Sequence, residues 1–227
     1  MGIRTDKAVQ QQLIFFSILL MLVALFTSRA LLSIGIISFL VFTCLHQNIL
    51  QQLKKFITNP LLLGMSLLFF IPLITGLWSH DKQEWWQWVR IKLPLFLLPV
   101  AFAGSWQLSI KQWRWIAYTF IILVCLACCW SLWQYSINLH DINKSYLKAK
   151  SIPTPLDNDH IRFSFLVCAA IIAAVLLVRK KVENIVRILL AVVLIFFVVY
   201  LHILSARTGL LGLYIFLQWV FFICFYG

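Results

Sequence analysis

Four basic side chains lie at the ends of apolar segments, where they could bind an anionic ligand. Arg90 and Lys92 precede the run LPLFLLPVAF, Arg162 opens a second apolar segment, and Arg207 separates two more. A guanidinium is a rigid fork that matches pairs of phosphate oxygens. These residues are therefore candidates to bind the phosphate of a lipid-linked ligand. The alternative is that each side chain reaches the membrane interface without any ligand.

The segment Asp157-Asn158-Asp159-His160 allows two kinds of chemistry. Two aspartates in a D-x-D pair can bind a divalent metal with a sugar diphosphate, since hard cations prefer carboxylate oxygens. Asp159 or His160 could instead act as a general base toward a sugar hydroxyl. D-x-D pairs are common by chance, so we favour a third interpretation. In it, Asp and Asn cap the following helix by accepting hydrogen bonds from its free N–H groups.

Composition decides which class of protein must position these residues. Of the 227 residues, 63% are apolar and 11% are charged. Soluble domains have ~45–50% apolar and ~25% charged residues, so too few polar side chains are present to cover a water-soluble fold. A disordered chain, a nucleic-acid-binding domain and an ordinary soluble enzyme are therefore excluded. The net charge of +12 indicates contact with anionic lipid or phosphate headgroups.

Apolar segments of near-spanning length recur along the whole sequence, and each membrane crossing takes ~20 residues. They predict an all-α, polytopic integral membrane helical bundle of about eight transmembrane helices. We expect a single transmembrane domain over 1–227, with a tight hairpin turn at Ser28–Arg29 and an outer loop over 138–162. The predicted spans are 13–27, 31–45, 60–77, 89–105, 113–137, 163–178, 188–204 and 210–226.

The predicted topology places the candidate basic residues on one side of the membrane. The basic loop 179–187 favours a cytoplasmic location, and this puts the N-terminus in the cytoplasm. One complete helical hairpin separates Lys92 from Arg162, and another separates Arg162 from Arg207. All would then lie at the outer interface. The fourth span contains Pro94 and Pro99, and if it were re-entrant, everything before it would reverse its orientation.

Three segments, in this order, resemble the O-antigen ligase family of multispanning bacterial membrane proteins, which includes O-antigen polymerases. They fall within residues 60–220 and include an R-x-K-L-P element at the fourth span and an S-x-R-[ST]-G element between the last two. The segments are WSHDKQEWWQWVRIKLPLFLLPVAF, HIRFSF and HILSARTGLLGLY.

The resemblance implies a metal-independent glycosyltransferase at the outer face of the bacterial inner membrane. Such proteins transfer a glycan from an undecaprenyl-diphosphate carrier to a lipid A–core sugar or to another glycan, and need no cofactor. Arg207 and Arg162 match elements whose arginines bind the diphosphate, Arg90 and Lys92 are auxiliary candidates, and His160 is the candidate base. Membrane lipids are further partners, and nucleic acid is not.

The resemblance also implies that the chain lacks the second half of the family domain. That half carries a large outer loop with a functional histidine, and no segment of this sequence matches it. We therefore expect an incomplete or truncated member, whose activity requires the missing half.

Two other functions use the same basic residues. A transporter or flippase-like protein for an anionic lipid or solute would need a polar path, with ionisable residues deep within its spans. This sequence has almost none there. A non-catalytic membrane scaffold is the third hypothesis.

Overall fold

The computed structural model shows a protein built from α-helices, with no strand in the part of the chain that it describes. This confirms the predicted all-α class. The described residues are 7–44, 49–104, 106–140, 152–155, 159–180, 183–204 and 206–226.

Five of the helices begin within three residues of the start of a predicted span. Ten helices can be described within those ranges. They are α1 (Lys7–Thr27), α2 (Arg29–Cys44), α3 (Ile49–Thr58), α4 (Pro60–Thr75), α5 (Lys82–Lys92), α6 (Pro94–Phe102), α7 (Ile110–Ile137), α8 (His160–Val178), α9 (Asn184–Leu204) and α10 (Arg207–Tyr226).

Among the described residues, four helices are long and apolar enough to cross a membrane. These cover Ala8–Thr27 in α1 and the whole of α7, α8 and α9. A fifth crossing is reached if α2 and α3 form one broken span. The chain is therefore a multi-pass helical membrane protein, with four to five apolar spans.

The chain divides into two compact units, Met1–Gln112 and Trp113–Gly227, and the boundary lies in the first turn of α7. In the first unit, α1 and α2 form an antiparallel hairpin. Ser28 alone separates the two helices, which confirms the predicted turn. Near the open end of the hairpin, Gln10 Nε2 donates a hydrogen bond of 2.9 Å to the Phe42 carbonyl oxygen.

The predicted fourth span, 89–105, is not one helix in the structure. Helix α5 ends at Lys92 and α6 begins at Pro94, with Leu93 between them. Proline lacks the N–H group that would continue a helix, and its ring clashes with the preceding turn. The nine residues of α6 rise about 14 Å at 1.5 Å per residue, and the hydrocarbon core is ~30 Å thick. Helix α6 by itself is therefore too short to cross the membrane.

A cluster of phenylalanines holds α6 against its neighbours in the first unit. The ring of Phe96 lies 6.1 Å from Phe56, 5.7 Å from Phe69 and 5.9 Å from Phe70. Edge-to-face and offset aromatic pairs at such separations add to the energy of burial. They fix α6 between α3 and α4.

The junction between α4 and α5 is fixed by hydrogen bonds to backbone groups. Trp85 Nε1 donates a hydrogen bond of 2.8 Å to the Pro72 carbonyl oxygen, and Lys82 Nζ donates one to the Gly76 carbonyl oxygen. Asp81 caps α5 by accepting from the backbone of Gln83 at 2.8 Å. A Cβ at Gly76 would overlap the Trp85 indole, so glycine is required for this close approach.

In the second unit, α8 and α10 pack through small residues. Ser164 Oγ lies 3.3 Å from Thr208 Oγ1. A Cβ at Gly209 would lie 2.5 Å from Ser164 Cβ, and one at Gly212 would lie 3.4 Å from Cys168 Sγ. Small residues let helix backbones approach closely in membranes. Gly209 meets Ser164, and three residues further along α10 Gly212 meets Cys168, which is four residues further along α8. Residue numbers therefore rise in the same direction in both helices, so α8 and α10 run parallel and begin at the same end.

The close approach of α8 and α10 predicts a difference between two glycine substitutions. Gly209→Ala places a methyl group against Ser164, so we expect unfolding to become easier by roughly 1–3 kcal/mol, as in other overpacked sites. Gly64→Ala in α4 is the matched control, because nothing lies within 4 Å of an added Cβ there. Thermal unfolding of the purified protein in detergent measures both changes. Equal effects of the two substitutions would contradict the packing.

Candidate functional site

Arg162 lies in the first turn of α8 and is exposed to solvent or headgroups. Its Nε lies 2.9 Å from Asp159 Oδ2, and its side chain is 73% exposed. The pair links residues three apart at a helix start, and exposed pairs of this kind contribute only ~0.2–1 kcal/mol. The guanidinium is therefore held in place weakly and stays accessible to a ligand.

Arg207 is the first residue of α10, and its side chain is also exposed. Neighbouring residues are buried: Ala206 is only 4% exposed, and Leu213 is only 1% exposed. Gly209 and Thr208 pack against Ser164 of α8. Arg207 therefore extends from a helix start whose other side is fixed in the bundle.

The structure brings Arg162 and Arg207 to the same end of the second unit. Each lies in the first turn of one of two parallel helices, and these first turns are in contact through Ser164 and Thr208. Each helix N-terminus also contributes free N–H groups and roughly half a positive charge. Two arginines and two helix N-termini therefore favour an anion at this end, and among the described residues here the carboxylate of Asp159 opposes them.

Asp159 is the N-cap residue of α8, as the capping interpretation predicted. One carboxylate oxygen accepts a hydrogen bond of 3.1 Å from the backbone N–H of Arg162, and the other pairs with the Arg162 guanidinium. Asp157 and Asn158 of the D-x-D motif lie outside the described residues. No group of three potential metal ligands occurs in the described part of the chain.

His160 is the first residue of α8 and is partly buried beside the Asp159 cap. Its place in the first turn puts it at the same helix end as Arg162. Its role as a base remains a prediction.

Arg90 and Lys92 lie in the last turn of α5, and not at the beginning of a span as expected. Residues two positions apart on a helix are separated by ~160° around its axis. The Arg90 guanidinium lies 5.4 Å from the centre of a Trp86 ring, and Lys92 Nζ lies 5.8 Å from the centre of a Trp88 ring. Their charges also complement the negative C-terminal end of α5. The two side chains therefore occupy different environments and do not form one phosphate clamp with each other.

A buried pair of hydroxyl groups, which the sequence analysis missed, fastens the segment before α8 to the bundle. Tyr200 donates a hydrogen bond of 2.8 Å to Ser131 Oγ, and Ser131 donates one of 2.6 Å to the Pro153 carbonyl oxygen. Ser131 and Tyr200 are fully buried, and Ile152 is only 1% exposed. The available signal was a hydroxyl residue within each of two apolar helices, since such a hydroxyl must find a partner within the protein.

No family model matches the chain, and no curated protein or solved structure matches it either. The functional argument therefore depends on the motifs of the sequence and on the geometry of the two helix starts.

The hydroxyl pair predicts an order of destabilisation for two variants. Tyr200→Phe removes one hydrogen bond and leaves Ser131 able to donate to Pro153, so we expect a loss of about 1 kcal/mol. Ser131→Ala leaves both the tyrosine hydroxyl and the proline carbonyl without their partner, and we expect a loss of about 2 kcal/mol or more. Thermal unfolding gives the energies, and hydrogen exchange on either side of Pro153 reports the release of the segment. Equal losses in the two variants would contradict this arrangement.

Proposed function

We propose that the chain is a membrane glycosyltransferase-like protein of the O-antigen ligase family, or the amino-terminal part of one. In this proposal a glycan passes from an undecaprenyl-diphosphate carrier to a lipid A–core sugar or to another glycan, at the outer face of the bacterial inner membrane. The observation that carries it is the placement of Arg162 and Arg207 at adjoining starts of two parallel helices.

The site suits a diphosphate because its charged side chains are accessible and extend from two helix starts that are packed together. The Asp159 pair occupies only Nε of Arg162 among the described contacts. A guanidinium has five N–H donors, so four remain for phosphate oxygens. Arg207 adds a second fork from the neighbouring helix, and the free N–H groups of both first turns add to the positive potential. Arg90 and Lys92 are auxiliary at most, because the structure places them at the end of a different helix.

In the proposed transfer, the bond between the anomeric carbon and the diphosphate oxygen breaks, and an acceptor hydroxyl oxygen bonds to that carbon. Negative charge then accumulates on the departing diphosphate. Positive groups that face such charge lower the barrier, because they stabilise the charge as it develops. In this proposal His160 would take the acceptor proton.

The topology that this function requires is the eight-span arrangement with a cytoplasmic N-terminus. Several features support it. The basic segment at the end of α8 and the start of α9 lies at the opposite end of α8 from Arg162. Helix α10 has 20 residues, or about 30 Å at 1.5 Å per residue, which matches the hydrocarbon core. Helices α2 and α4, and the α5–α6 pair, would supply the remaining crossings.

The proposal predicts that Arg207→Ala weakens binding of undecaprenyl diphosphate by about tenfold or more. Hydrogen bonds to charged groups contribute ~1.5–3 kcal/mol, and ~1.4 kcal/mol corresponds to a factor of ten. Arg187→Ala is the matched control, since Arg187 is an exposed arginine in the first turn of α9, at the other end of the bundle. Binding is measured on the purified full chain in detergent.

The same variants distinguish a glycosyltransferase from the alternative functions. In the bacterium that makes the protein, Arg207→Ala is expected to shorten or abolish the ladder of surface polysaccharide on a gel, at normal protein level. An unchanged ladder despite weakened carrier binding would contradict glycan transfer and would favour a transporter or a scaffold. If Arg207→Ala and the wild type bound undecaprenyl diphosphate equally well, the proposed diphosphate-binding site would be contradicted.

A further inference from the structure

A cleft in the first unit has a different chemistry from the site on α8 and α10. It has a volume of about 450 Å³ and lies between the C-terminal part of α4 and one side of α5. Its polar lining includes Thr75, Asp81, Glu84 and Lys92, and the indoles of Trp85 and Trp88 form part of its wall. The proposed diphosphate site depends on Arg162 and Arg207 of the second unit, and only its auxiliary candidate Lys92 also lines this cleft.

The charged residues of the cleft follow one side of α5 in order. Glu84, Trp88 and Lys92 are spaced four residues apart, so they lie on successive turns of one helix face. Helical side chains lean toward the helix N-terminus, and Lys92 does so, because its Nζ lies 5.8 Å from the centre of a Trp88 ring. The cleft therefore presents a carboxylate at one end and an ammonium at the other, on residues about two helical turns apart, with an indole between them.

This pattern matches a ligand that carries both charges. A purely anionic headgroup would face the carboxylates of Glu84 and Asp81, and a purely cationic one would face Lys92. A phosphate beside Lys92 and an ammonium beside Glu84 satisfies both ends at once. Since Ile71 and Pro72 supply an apolar wall, the same ligand can carry acyl chains.

Hydrogen-bond capacity selects a primary ammonium over choline. A quaternary ammonium is recognised by the open faces of several aromatic rings. Here Lys92 lies over Trp88, and Trp85 packs on Gly76 and donates to the Pro72 carbonyl oxygen. Among the described residues, the Glu84 carboxylate has no hydrogen-bond partner. A primary ammonium offers three donors to such acceptors, and choline offers none.

The construction of the cleft makes it a preformed site. Asp81 caps α5, and Trp85 and Lys82 bond to carbonyl oxygens at the end of α4. These contacts hold the two walls of the cleft at a fixed spacing. A preformed site loses less conformational freedom on binding, so more of the contact energy appears as affinity.

We propose that the cleft between α4 and α5 binds the headgroup of a phosphatidylethanolamine-type lipid, with Glu84 accepting from its ammonium and Lys92 binding its phosphate. The lipid would fix the first unit in the leaflet that contains the end of α4. This inference is independent of glycan transfer, because it depends on residues of α4 and α5 only.

The test uses the purified full chain, exchanged into an equimolar mixture of phosphatidylethanolamine, phosphatidylcholine and phosphatidylglycerol in mixed detergent micelles. The protein is then re-isolated and its bound phospholipid is measured by mass spectrometry. We expect phosphatidylethanolamine to be enriched at least threefold over each of the other two. Stepwise N-methylation of the ethanolamine lipid should lower its retention in steps, because each methyl group removes an N–H donor.

Glu84→Gln should reduce the enrichment to less than half of its wild-type value. Glu183→Gln is the matched control, since Glu183 is an exposed glutamate next to the N-terminus of α9 and its neutralisation should leave the enrichment unchanged. The methylation series keeps the test decisive if Glu84→Gln fails to fold. Equal retention of the ethanolamine and choline lipids would overturn the proposal. Displacement of all lipids by an added oligosaccharide would also overturn it and would assign the cleft to a sugar.

Discussion

The contact between the first turns of α8 and α10 determines where the charges of the second unit lie. Gly209 has no Cβ, and this lets the backbone of α10 approach Ser164 to a distance that any other residue would prevent. The two helices therefore start together, and the arginine in each first turn is carried to the same end. Within a bilayer, charge is expensive away from the interface. The close contact of small residues thus brings arginines from two helices to one electropositive end.

A second constraint acts on the segment that leads into α8. A backbone carbonyl buried among apolar helices must find a donor, and Ser131, supported by Tyr200, supplies one to Pro153. Asp159 then caps the helix that follows. In the first unit, backbone groups at the α4–α5 junction are satisfied in the same way by the side chains of Asp81, Trp85 and Lys82. Both units therefore satisfy backbone groups at helix ends with side chains, and these side chains shape the candidate sites.

Much of the helical framework could be predicted from the sequence. Apolar runs bounded by Ser28, by Asn59-Pro60 and by the polar segment before His160 correspond to helix ends in the structure. The break at Pro94 differs from expectation. The prediction treated 89–105 as one apolar run, but Pro94 ends the first helix and divides the run into α5 and α6. The positions of Arg90 and Lys92 differ for the same reason.

The candidate site was predictable only in part. Counting helices was enough to place Arg162 and Arg207 at one end of the bundle, and their first turns do meet in the structure. The Ser131–Tyr200 pair joins residues 69 positions apart, and nothing local in the sequence marks such a partnership. The different directions of Arg90 and Lys92 follow from their spacing of two residues on one helix, but their place at the end of α5 required the structure.

The location of residues 162 and 207 relative to the membrane tests the central claim most directly. Single cysteines at 162, 207 and 187, in a full chain whose native cysteines are replaced, can be labelled with a membrane-impermeant maleimide in intact cells. The account predicts that 162 and 207 react from the outside, and that 187 reacts only after the membrane is permeabilised. Labelling that places 162 and 207 in opposite leaflets would contradict it.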